Sequence, residues 1–131
     1  MNFSRRHALV AALALSTALA VPAFALTGTK FTPAALADAQ KTGNPVLVEV
    51  GAPWCPVCKA QAPIVGALLG SDKFKSFVKF DIDFDSQKDD LKTLNVQKQS
   101  TLIVYKGDKE VGRTTGDSNP ASIEALLAKA L

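Results

Sequence analysis

Histidine is all but missing from this chain: of 131 residues one is histidine, His7. Cysteine is nearly as sparse, with Cys55 and Cys58 alone, and Trp54 is the single tryptophan. A structural zinc site takes four protein ligands. Two cysteines with no histidine beyond residue 7 cannot complete one in a single molecule, although four thiolates from two molecules could. There is no basic tract and no patch of interleaved aromatics, which argues against nucleic acid. No repeat or low-complexity segment follows residue 25, and the length suits one domain.

The start of the chain reads as a targeting segment rather than as part of the fold. Arg5 and Arg6 precede an apolar run from Ala8 to Val21, and Ala23-Phe24-Ala25 follows. That is a charged region, a hydrophobic region and a small-x-small cleavage site, so residues 1–25 are expected to be a signal peptide. "SRRHAL" resembles a twin-arginine export signal, although Ala8 stands where a bulkier apolar residue is usual, so general secretion stays open. The rival reading is an uncleaved anchor. Ala8 to Leu26 is 19 residues, close to the roughly 20 that span a bilayer. Ser16, Thr17, Pro22 and the cleavage-like end speak against it. On either reading residues 26–131 are expected outside the cytoplasm, in the periplasm, where disulfides persist. Cleavage also removes two of the basic residues, so 13 Lys+Arg face 12 Asp+Glu and the net charge falls from +3 to +1.

The remaining 106 residues alternate between element types. Thr32 caps an expected helix over 32–43, with Pro33 in its first turn and Gly43 at its stop. "PVLVEV" (45–50) is a short β-branched run, hence a buried strand. "CPVCKAQAPIVGALLG" (55–70) reads as a helix with a kink at Pro63. "FVKFDIDFD" (77–85) alternates apolar and acidic residues as a strand does, and "SQKDDLKTLN" is a short polar helix. "TLIVYK" (101–106) is a buried strand, joined by a "GDK" turn to its hairpin partner "EVGRTTG". Asn119 caps a last helix with Ile123, Leu126, Leu127 and Leu131 on one face. A short strand near Lys30 and Phe31 can precede these. The order implies an α/β fold, a mixed sheet with helices on both faces.

Both cysteines fall at the start of a helix. The first turn offers free N–H groups and the positive end of the helix dipole. A thiolate there is favoured and its pKa falls. Cys55 is therefore expected to be the exposed nucleophile, and Cys58, one turn on and deeper, the resolving thiol. Pro56 pre-sets the first turn. As a plain staple the pair would close a four-residue loop, worth only about 2 kcal/mol in chain entropy. A redox couple is the favoured reading of the three, ahead of the staple and the metal site.

With these residues in view the chain resembles the thioredoxin family over essentially all of residues 26–131. "VLVEVGAPWCPVCKAQAP" is similar to the family's strand, Trp-Cys-x-x-Cys-Lys loop and proline-containing helix, with Trp54, Cys55, Cys58, Lys59 and Pro63 on family positions. "VKFDID" resembles the next strand, and "STLIVYKGDKEVGRTTG" the closing hairpin with Gly116. The resemblance implies a thioredoxin fold, a mixed central sheet of four or five strands flanked by helices. Glu49 lies six residues before Cys55 in an apolar strand. It is expected to be buried, where desolvation disfavours charge. The family commonly has a buried Asp there, beneath the second cysteine, so the resemblance implies a proton-transfer role for Glu49. A solvated strand carboxylate with no role is the plainer reading. Lys79 matches a family lysine near that acid, and equally reads as a surface lysine.

Two departures bear on function. The dipeptide between the cysteines is Pro56-Val57. Val57 offers no hydrogen bond or charge to a Cys55 thiolate, so the couple is expected to be less oxidising than one with Pro-His there. Ser100 stands where the family has a cis-proline opposite the cysteines. A cis bond before a non-proline residue costs about 3 kcal/mol, so this one is expected to be trans. Ser100 adds a hydroxyl within reach of Cys55 or a partner, or reads as a neutral loop residue.

The chain is thus expected to be an exported thiol–disulfide oxidoreductase, with a reducing role favoured over an oxidising one. Trp54, Pro56, Val57, Ser100 and Thr101 are expected to line the substrate surface. No cofactor and no metal is expected. The expected partners are cysteine-containing exported proteins and a membrane redox protein, and the molecule is expected to be a monomer. The alternative is a non-enzymatic binding module on the same scaffold, or a dimer bridging a metal through its thiolates.

Overall fold

The computed structural model describes residues 28–131. The expected signal peptide lies outside the described residues. In chain order the elements are β1 (Thr29–Lys30), α1 (Pro33–Lys41), β2 (Val46–Gly51), α2 (Pro56–Leu69), β3 (Val78–Asp83), α3 (Lys88–Thr93), β4 (Thr101–Lys106), β5 (Lys109–Thr115) and α4 (Pro120–Ala128). The strands form one sheet in the order β1-β3-β2-β4-β5. β1, β3 and β2 run parallel, while β4 and β5 are antiparallel to their neighbours. This is the mixed, five-stranded thioredoxin fold.

Local chemistry accounts for most of the boundaries. The Thr32 hydroxyl accepts the Ala35 N–H at 3.0 Å and so caps α1. Asn119 Oδ1 does the same for α4, taking the Ala121 and Ser122 N–H groups. Gly43 and Gly116 sit at φ 78° and 75°, where a side chain would be strained. α2 runs unbroken through Pro63. Leu131 departs from expectation. It lies past the end of α4 and is 51% exposed, because the helical period that aligned it with Leu127 stops at Ala128.

Strand alternation splits the core into two layers. Val46, Val48, Val50, Phe80, Ile82, Ile103 and Tyr105 face Leu36 and Ala39 of α1 and Leu91 of α3. Leu47, Leu102 and Val104 face Val65 of α2 and Ile123, Leu126 and Leu127 of α4. By the same alternation Glu49, Lys79 and Asp81 belong to the α2 side.

Candidate functional site

Cys55 closes the loop after β2 and is the N-cap residue of α2, with extended backbone (φ −84°, ψ 111°). Its N–H donates to Ala52 O at 3.2 Å. Its Sγ accepts the Cys58 N–H at 3.1 Å, the bond a capping side chain makes to the first turn. Cys55 and Cys58 form a disulfide with their Cα atoms 5.3 Å apart. Pro56 occupies the first helical position, as its fixed φ favours.

Burial does not separate the two sulfurs as expected. Cys55 is 1% exposed and Cys58 2%. With the disulfide closed, both pack with Ala52 against Val57 and Phe84. Position on the helix is what distinguishes them. Cys55 caps the positive end, and Cys58 lies within the first turn.

Trp54 projects beside the disulfide, 54% exposed. It is oriented on one side by Asp85, whose Oδ2 accepts its Nε1–H at 2.8 Å. It also meets the Phe84 ring edge-on at 6.4 Å between centroids, and Lys88 Nζ lies 4.2 Å from the centroid of that ring. Pro56 is exposed and Val57 half-buried next to it. Trp54, Pro56 and Val57 therefore share one accessible surface around the sulfurs.

Ser100 is buried at 4% exposure and adopts φ 55°, in the left-handed region. No peptide bond among the described residues is cis. A non-glycine residue there costs about 1–2 kcal/mol. The loop is held by its polar atoms. The Ser100 N–H donates to Val50 O at 2.8 Å, and its carbonyl accepts from Gly116 N at 3.0 Å. The same carbonyl accepts from Gln61 Nε2 at 3.2 Å. The hydroxyl turns to Gln99 O at 2.6 Å. Thr101 is engaged by the hairpin, its hydroxyl donating to Lys98 O at 2.8 Å and lying 2.9 Å from Thr115 Oγ1.

Glu49 is buried at 4% exposure. Its partner is Lys79, whose Nζ lies 2.6 Å from Glu49 Oε2 and 2.6 Å from Asp81 Oδ1. The arrangement follows from register. Glu49 pairs with Asp81 across β2 and β3, so both carboxylates point to one face, with Lys79 two residues before Asp81 on the same side. Asp81 Oδ2 also accepts the Gly28 N–H. A Cβ at Gly28 would lie 2.8 Å from that oxygen and 2.9 Å from Lys79 O, so this approach requires glycine. Burial on its own would lower the Lys79 pKa. The Glu49 charge and the hydrogen bonds to Asp81 and Glu49 outweigh burial and hold it above the ordinary lysine value. Lys79 is thus the centre of a buried ion cluster and not a surface lysine.

Asp81, Gln61, Phe84 and Asp85 escaped the reading of the sequence. Asp81 had a partial signal: its even spacing from Lys79 within one strand, which sets both side chains on one face. Gln61 had one only in retrospect, being in helical phase with Cys58 and Val65. Among the described residues no group of three or more His, Cys, Asp or Glu side chains is arranged to hold a metal ion, and no helix is long and apolar enough to cross a membrane.

The thioredoxin family model matches residues 24–129. The chain belongs to the thioredoxin family. It is 39% identical over 83 residues to Thioredoxin-2 of Saccharomyces cerevisiae, covering 63% of this chain and 77% of that one. It is 34% identical over 91 residues to a thioredoxin of Echinococcus granulosus, covering 69% and 82%. Among solved structures, Trxlp of Edwardsiella tarda superposes with a TM-score of 0.73 at 38% identity, over 77% of this chain and 98% of that one. With the Cys-x-x-Cys pair closed as a disulfide, this thioredoxin-family chain is a thiol–disulfide oxidoreductase.

Proposed function

We propose that this thioredoxin-type enzyme works outside the cytoplasm, in the periplasm, and reduces disulfides of other exported proteins. In the dithiol form the Cys55 thiolate attacks a substrate disulfide. One substrate sulfur leaves as a thiolate, and a mixed disulfide to Cys55 forms. Cys58 then attacks Cys55 Sγ, the Cys55–Cys58 bond closes, and the second substrate thiol is released. Two electrons pass from the protein's dithiol to the substrate. The observation that carries the assignment is the N-cap position of Cys55, whose Sγ already accepts the first-turn N–H of Cys58. Those donors stabilise a thiolate at Cys55 more than one inside the turn.

Glu49 is the acid–base group of this reading, exchanging the Cys58 proton, with Lys79 and Asp81 setting its charge environment. Trp54, Pro56 and Val57 supply the surface on which substrate docks, with Ser100 and Thr101 behind it. The reducing direction is supported by Val57, which adds no charge or donor for the thiolate. Export is supported by the residue pattern of positions 1–25. A reductant there needs a membrane partner to resupply its electrons.

The test is a pair of variants: turnover of a disulfide-bonded protein is assayed with dithiothreitol, and adducts are trapped by mixing the reduced variant with that protein after the dithiothreitol has been removed. Cys55→Ser is expected to reduce turnover to background. Cys58→Ser is expected to accumulate mixed disulfides that non-reducing gels resolve. Mixed disulfides on Cys58 in Cys55→Ser, and none in Cys58→Ser, would reverse the assignment. Failure of the wild-type protein to exchange at all, with a lasting dimer or bound metal, would promote the alternative: a binding module or metal-bridged dimer on this scaffold.

A further inference from the structure

Gln61 is a glutamine with no exposed surface, one turn after Cys58 on α2. Glutamine is mostly an exposed residue. Both of its amide hydrogens have work. Nε2 donates to Asp117 O at 2.6 Å and to Ser100 O at 3.2 Å. These bonds fix the amide's orientation, since a swapped amide would set its oxygen against two carbonyls. They also tie α2 to the strained Ser100 loop and to the segment after Gly116. Oε1 is different: it is the one buried side-chain nitrogen or oxygen without a hydrogen bond among the described residues. An acceptor left so has lost its water with no hydrogen bond to offset the loss.

A donor for Oε1 is made by the chemistry of the site. Residues three apart on a helix are neighbours, and helical side chains lean toward the N-terminal turn. Cys58, Gln61 and Val65 form the buried stripe of α2. The Gln61 side chain therefore leans back over the turn that holds Cys58. In the disulfide Cys58 has no hydrogen to give. Reduction by a dithiol breaks the S–S bond, and the dithiol supplies two electrons and two protons and leaves as a disulfide. Cys58 then carries an S–H.

We propose that Gln61 is a positioning residue that couples the redox state of Cys58 to the Ser100 loop. Its Oε1 receives the Cys58 S–H in the reduced protein, while its Nε2 keeps the Ser100 and Asp117 carbonyls in place. The orphaned acceptor burdens the disulfide form and the new hydrogen bond favours the dithiol form, so both effects ease reduction. The proposal rests on Cys55–Cys58 being the exchanging pair.

The S–H stretching band reads the bond without any turnover. Cys55→Ser leaves Cys58 as the lone thiol of the chain. Its band is expected at lower frequency than in Cys55→Ser/Gln61→Met. Coincident bands in the two would overturn the proposal. In the otherwise wild-type protein, Gln61→Met is expected to shift the glutathione equilibrium about fivefold toward the disulfide, the effect of roughly one hydrogen bond. An unchanged equilibrium would overturn it as well. Should the methionine variants not fold, the side-chain carbonyl carbon resonance of Gln61 in the wild-type protein decides. It is expected to move on reduction while that of Gln40 stays, and a fixed Gln61 resonance contradicts the proposal. A wild-type protein that does not exchange with glutathione sinks the exchange reading instead, and the lone-thiol band still reports on Gln61.

Discussion

The same strands present two unlike faces. On the side of α1 and α3, Val46, Val48, Val50, Phe80, Ile82 and Ile103 make an apolar layer. On the side of α2, β2 alternates Leu47 with Glu49, and β3 places Lys79 and Asp81 opposite. Gln61 and the disulfide belong to α2 itself, and Ser100 is tied to it through Gln61. Burying an unpaired polar or charged group is costly, and Gln61 Oε1 is the one buried side-chain nitrogen or oxygen among the described residues left without a hydrogen bond. Here Glu49, Lys79 and Asp81 serve one another. The α1 and α3 side is thus an apolar layer, whereas the α2 side combines an apolar layer of its own with the polar groups of the site.

Emptying the apolar face is expected to do the most damage. Phe80 is 4% exposed and meets Phe31 edge-on at 6.2 Å. Phe80→Ala is expected to cost about 3–5 kcal/mol in urea unfolding, with the glutathione equilibrium of the folded protein unchanged. A changed equilibrium would mean that the two faces are not separable.

Next comes the ion cluster. Lys79→Met leaves Glu49 and Asp81 buried without their cation, and is expected to cost about 3 kcal/mol near neutral pH. The pH dependence sharpens this. Lys79 titrates above its ordinary value in the fold, so its contribution is complete below the unfolded lysine value of about 10.4. It is lost as pH rises through the folded value. The stability gap between wild type and Lys79→Met is therefore expected to close on raising the pH from about 10 upward. A constant gap in alkaline urea titrations would show that the ammonium charge is not what the cluster needs.

Ser100 gives a smaller effect of opposite sign. Ser100→Gly removes the left-handed penalty and is expected to gain about 1 kcal/mol. Ser100→Pro is expected to destabilise, since proline holds φ near −65° and cannot donate to Val50 O. Unfolding midpoints of the two variants on the same side of wild type would contradict this account of the loop. Smallest is Asp85→Ala, which frees the Trp54 indole N–H at an exposed site. About 0.5 kcal/mol is expected, together with a change in the fluorescence of the single tryptophan.

Much of this was legible in the residue order. Thr32 and Asn119 announced their helices through the side-chain bonds they make, and the apolar run of Thr101–Lys106 announced a central strand at the bounds observed. Glu49 was legible as a buried carboxylate because its neighbours are aliphatic. Its partner Asp81 was not, because pairing between parallel strands joins residues 32 apart and depends on register. The burial of Cys55 was missed for another reason: helix position argues for reactivity, whereas exposure depends on what packs around the closed disulfide. The left-handed turn at Ser100 has no local signature at all. Hydrogen bonds from Gly116 and Gln61, both distant in sequence, hold it.

The most direct test of the account is the equilibrium of the Cys55–Cys58 couple with glutathione in metal-free buffer. Exchange with a reduction potential near that of thioredoxin, about −270 mV, is predicted. It would mark a reductant whose polar face manages thiol chemistry. A potential near about −120 mV, the range of a strong oxidant, would contradict the direction of electron flow assigned from Val57. Absence of exchange would contradict the assignment of the disulfide as the working site.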